Sequence, residues 1–84
     1  MKELEQSLKN ELSKYKSKVP RNDGTIKGVS KRFKFMADNS KKIETDINKL
    51  SNDCISRNDF NQDEIKKVSE LSTDYFLKII KLIS

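Results

Sequence analysis

Histidine and tryptophan are missing from the 84-residue sequence, cysteine, proline and alanine occur once each, and glycine occurs twice. Each scarcity closes a class of function. Without imidazole, no catalytic triad or general-acid scheme that depends on it is open. A lone cysteine, Cys54, forms no intramolecular disulfide, and a zinc site built from Cys and His has no ligand set. No apolar run approaches the roughly 18 residues that span a bilayer. No glycine-rich phosphate loop, calcium-binding loop or dinucleotide fingerprint is present. The carboxylate pairs Glu44/Asp46 and Asp63/Glu64 fall on polar helix faces or at a cap, and Cys54 falls on an apolar seam with no base to activate it. The expectation is a protein that is not an enzyme and needs no metal or cofactor.

What is present is charge. Charged residues make up 37% of the chain and apolar ones 33%, with a net charge of +5. Lysines outnumber arginines 15 to 3, a skew that AT-rich coding produces without selection for charge. The opening residues MKELEQSLKNELSK alternate charge with leucine, lack the apolar centre of a secretory signal and carry glutamates foreign to a mitochondrial leader. Together with the single cysteine they point to the reducing cytoplasm.

Hydrophobic periodicity predicts an all-α fold of three amphipathic helices, about 2–18, 26–55 and 62–83, in a single helical domain spanning 1–84. In the first, Leu4, Leu8, Leu12, Tyr15 and Val19 form one stripe, with acids in the first turn, lysines in the last, and Pro20 as the stop. Residues 20–24 read as a turn, and Asp23-Gly24 also suits a short hairpin joining Val19 to Ile26. In the second, Ile26, Val29, Phe33, Met36, Ser40, Ile43, Ile47, Leu50 and Cys54 alternate at spacings of 3 and 4, a heptad seam about four repeats long. Gly28 could delay its start to Ser30, and the cap-favouring Asp38-Asn39-Ser40 could break it. Residues 51–59, rich in Ser, Asn and Asp, read as the next loop. In the third, Asn61 and Glu64 have capping-box spacing, and Phe60 and Ile65 that of a hydrophobic staple. From Tyr75 to Ile83 only Lys78 and Lys81 are polar, so this helix must be covered on most of its circumference. A chain of this size offers a marginal core, and so the expectation is a homodimer, or an obligate complex, whose contact uses Tyr75, Phe76, Ile79, Ile80 and Ile83. The same run could instead lie on a membrane surface, although two lysines and no clean polar face favour core or interface.

The positive charge is unevenly placed. Residues 14–34 hold Lys14, Lys16, Lys18, Arg21, Lys27, Lys31, Arg32 and Lys34 against Asp23 alone, a net of +7, while the flanking stretches are each −1. Codon drift would scatter lysine evenly. A dense cationic strip attracts polyanions and releases their counterions. Tyr15 and Phe33 fall on the apolar stripes and are expected in the core, whereas Phe35 lies off the seam among lysines, where a ring could stack on a base or pack on the third helix. Residues 25–33 are similar in spacing to the first helix of a helix-turn-helix motif. Lys34, however, stands where the turn glycine would, and Ser40 where an apolar residue is wanted, so no family follows. Two functional readings result. One is a small non-enzymatic regulator that binds nucleic acid, or a nucleic-acid-associated complex, through residues 14–34. The other is a protein-interaction module (an inhibitor, antitoxin, immunity or adaptor protein of the phage or plasmid kind) that acts through its apolar C-terminal helix.

Overall fold

A computed structural model describes residues 2–21 and 24–83, and these form three α-helices: α1 (Lys2–Lys18), α2 (Ile26–Arg57) and α3 (Gln62–Ile83). Glu3 and Glu5 open α1, and Lys16 and Lys18 close it, both placed favourably on the helix dipole. The Val19 amide donates to the Tyr15 carbonyl at 2.9 Å before Pro20 ends the helix. The proposed hairpin turn lies partly outside the described residues, at Asp23. Gly24 has φ +77°, a left-handed conformation that favours glycine. Immediately after it, the Thr25 hydroxyl accepts from the Gly28 amide at 3.0 Å, so α2 starts at Ile26 rather than at Ser30. At the start of α3 the capping box forms as the spacing predicts. The Glu64 amide donates to the Asn61 side chain at 2.9 Å, and the Asn61 amide donates to the Glu64 carboxylate at 3.2 Å.

The helices run up, down and up. Tyr15 meets Asp46, and Glu3 and Leu4 lie beside Cys54 and Arg57, so α1 is antiparallel to α2. Ser51 meets Ser72 and Arg32 meets Ile83, so α3 is antiparallel to α2 as well. One core holds all three together: Leu4, Leu8 and Tyr15 from α1, Ile43 and Ile47 from α2, and Val68, Tyr75, Ile79 and Ile83 from α3. Ser51 and Ser72 are buried between α2 and α3, each donating to the carbonyl one turn earlier or to its partner hydroxyl. Small side chains there let the two helices approach closely.

α2 is continuous, without a break at Asp38-Asn39-Ser40, and this excludes the helix-turn-helix reading of residues 25–40. It also extends through Ser51 and Asp53 to Arg57, shortening the expected loop. Ser51 is held in the core, and Asp53 pairs with Arg57 one turn on.

The N-terminal part of the predicted α2 seam is not buried. Ile26 is 87% exposed, Val29 46% and Phe33 73%. Two causes combine. A strict seven-residue repeat slips about 20° per heptad on a straight helix, so three heptads above Ile47 the stripe has turned about 60° from the core. The neighbours also end early. The molecule measures 49 × 18 × 16 Å, the length of α2 alone at about 48 Å, while α1 and α3 span about 25 and 33 Å. The last carbonyls of α3 lie beside Arg32, and α1 reaches only to the level just above Asp46. On the inner side of this projecting end Gly28 is buried; its outer side faces solvent.

Candidate nucleic-acid interface

The basic residues of 14–34 divide into three groups. Lys27, Lys31 and Lys34 follow one another at spacings of 4 and 3, so they share one face of the projecting end of α2, and all three are exposed. Lys14, Lys16 and Lys18 are exposed at the end of α1, and Arg21 is exposed in the connection. Lys14 and Lys18 lie one turn apart on a common face, but Lys16 is turned about 160° away from Lys18. Lys14 lines a shallow depression with Glu11, Asp46, Lys49 and Asp53, where acids outnumber lysines. That stretch of surface is not basic. The corner is therefore less concentrated than the linear charge count implies, and its cationic part is the α2 end.

Arg32 is the exception. It is half-buried, and its guanidinium donates to the Ile83 carbonyl at 2.9 Å and to the Leu82 carbonyl at 2.6 Å. These are carbonyls that the end of α3 leaves without helical partners. The expected phosphate contact is instead a tie between two helices.

Of the two places open to Phe35, a stacking contact or packing within the bundle, it takes the second: it is half-buried and packs against the core, on the inner side of α2 shared with Arg32 and Asn39. Phe33, expected in the core, stands in solvent. The slip of the heptad repeat is the signal that would have found it.

Among the described residues the ion pairs are Lys9–Glu5, Arg57–Asp53 and Lys78–Asp74, and none draws on residues 14–34. The lysine ammonium groups of the α2 end are not committed to any acid among the described residues. Counting charge by segment also hides Lys42, which falls within about 20° of the direction of Lys31 on α2; Lys49 shares that direction but lies among the acids of the depression beside Lys14.

The residues expected to contact a partner chain are mostly spent within this one. Tyr75, Ile79 and Ile83 are buried, while Phe76 and Ile80 are half-buried, Phe76 lining a groove between α2 and α3. No cluster of three or more potential metal ligands occurs among the described residues, and no helix there is long and apolar enough to cross a membrane. The chain matches no protein-family model, no curated protein and no solved structure.

Proposed function

We propose that this protein is a small non-enzymatic regulator that binds nucleic acid through the exposed lysine face of the α2 end. The observation that carries the reading is the set of three lysines, Lys27, Lys31 and Lys34, aligned on one face of a helix that projects past its neighbours and unpaired with any acid among the described residues. Cations in that arrangement displace condensed counterions from a phosphate backbone without first breaking internal ion pairs. Arg21 adds charge in the connection that leads to this end. A lysine is a point charge without the planar fork that reads base edges, so the contact is to backbone and largely independent of sequence. A cytoplasmic setting, where Cys54 stays a free thiol, fits the same reading. The test is a mobility shift with duplex DNA, single strands and RNA, comparing the natural protein with K27A/K31A/K34A. Arg32 is left intact because its removal would disturb α3. Loss of the shift in the triple variant supports the proposal, and an equal shift contradicts it.

A second reading, a protein-interaction module that works as a homodimer or against another protein, rests on a different observation. Between α2 and α3 lies a groove of about 440 Å³ lined by Ile47, Ile55 and Phe76 among small polar residues, on the side not covered by α1. Light scattering at micromolar concentration distinguishes the two. A dimer that F76A or I80A converts to monomer supports this second reading, and a monomer throughout removes the self-association on which it draws.

A further inference from the structure

The lysine face does not stop where α2 meets its neighbours. At 3.6 residues per turn, Lys27, Lys31, Lys34, Lys41 and Lys42 point within about 100° of one another, and all five are exposed. They form a row about 22 Å long on one unbroken helix. Thr45 continues the row without charge, and Lys49 beyond it lies among acids, so the row ends at Lys42. No aromatic or apolar residue of α2 falls within this arc, and the exposed ring of Phe33 points about 80° or more away from each of the five lysines. One acid stands among them. Asp38 is exposed near the middle of the arc, one turn from Lys34, Lys41 and Lys42, and makes no ion pair among the described residues.

A ligand laid along this row meets charge alone. Proteins that hold single strands add rings on which unstacked bases lie, and the row offers none. What remains is counterion release, which is worth about 0.9 of a log unit per phosphate on a duplex against about 0.7 on a strand. Resting on the polyanion reading above, we infer that the ligand is double-stranded nucleic acid, held by its phosphates along the whole row from Lys27 to Lys42, and that Asp38 is an internal counter-charge that weakens this contact. A phosphate brought between Lys34 and Lys41 comes up against the Asp38 carboxylate, and like charges at such range repel even in water. Selection is for charge density and not for sequence, because lysines placed on phosphates read no base edge.

The test is equilibrium anisotropy with a labelled DNA duplex, an RNA duplex and a single strand of the same length, beside co-sedimentation with vesicles of phosphatidylcholine and phosphatidylserine. The variants are K27A/K31A/K34A, K41A/K42A and D38N, with two controls of equal charge change. K66A/K67A removes two exposed lysines from α3, and E44Q neutralises an exposed acid about 120° round α2 from Asp38. Every replaced side chain is exposed, so the melting curves of all variants should lie close to that of the natural protein. The inference expects a duplex to bind more tightly than the strand. It expects K41A/K42A to make the salt slope on duplex DNA shallower by about 1.8, and K66A/K67A to leave it unchanged. D38N should tighten duplex binding by about 2- to 10-fold, while E44Q barely alters it. If K41A/K42A binds as the natural protein does and only the triple variant fails, the extended row falls and the polyanion reading stands. If the triple variant binds normally as well, both fall. Equal gains in D38N and E44Q would reduce Asp38 to its share of net charge and overturn its role. Tighter binding of the strand overturns the duplex assignment, and binding to the vesicles alone overturns it in favour of a lipid surface.

Discussion

Tyr15 shows how much one side chain can impose on the stability of this small core. Its ring is 2% exposed, and its hydroxyl donates to the Asp46 carboxylate over a long 3.4 Å. Burial first, then the negative charges of Asp46 and Glu11, keep the phenol neutral and push its pKa up to about 12. Below the ordinary tyrosine value of about 10, folded and unfolded chains both hold the proton and this group gives no pH dependence. Between about 10 and 12 the unfolded chain releases its proton while the folded one keeps it, so stability should fall by about 1.4 kcal/mol per pH unit. Titration by ultraviolet absorbance in a Y75F background isolates Tyr15, and denaturant midpoints across the same window give the linked loss. An ordinary titration midpoint with flat stability would mean the ring is solvated. Tyr15 as a core residue was legible from its place on the α1 stripe. Phe33 was placed in the core and Phe35 left open between packing and stacking, because two aromatics two residues apart on a helix point about 160° from each other and only the direction of the core decides between them.

At the scale of the element, α1 and α3 were readable almost to the residue because their ends are written locally. Pro20 stops one, and Asn61 with Glu64 starts the other. α2 was readable in extent but not in facing, since its heptad seam describes an ideal supercoiled partner and its actual partners are two shorter helices. The tie from Arg32 to the end of α3 had no sequence signal, because it joins a side chain to backbone carbonyls fifty residues away. It does mechanical work that can be measured. Arg32→Ala should lower the unfolding free energy by about 1–2 kcal/mol, the range for charge-assisted hydrogen bonds that stay partly solvated at a helix C-terminus. Arg32→Lys should recover part of this through charge alone, without the two-pronged geometry. Chemical denaturation checks both, and an Ala variant as stable as the natural protein would show that the two bonds contribute nothing.

As a whole, the molecule is a rod whose length is set by α2, with its core in the part that all three helices share and its cations strongest where α2 projects beyond it. The class of fold was visible from periodicity alone. The working surface was only partly so: the sequence placed the excess charge between residues 14 and 34, but could not show that Arg32 is occupied, that Lys14 faces acids, or that α1 and α2 present their lysines at different heights along the rod. The central claim is that the free lysines of the α2 end make phosphate contacts, and it is tested most directly by the slope of log affinity against log salt for a nucleic-acid strand. If each of Lys27, Lys31 and Lys34 engages one phosphate, the slope for the triple alanine variant should be shallower by about 2 on a single strand, or nearer 3 on duplex DNA. Equal slopes for the two proteins, at any affinity, would contradict the account.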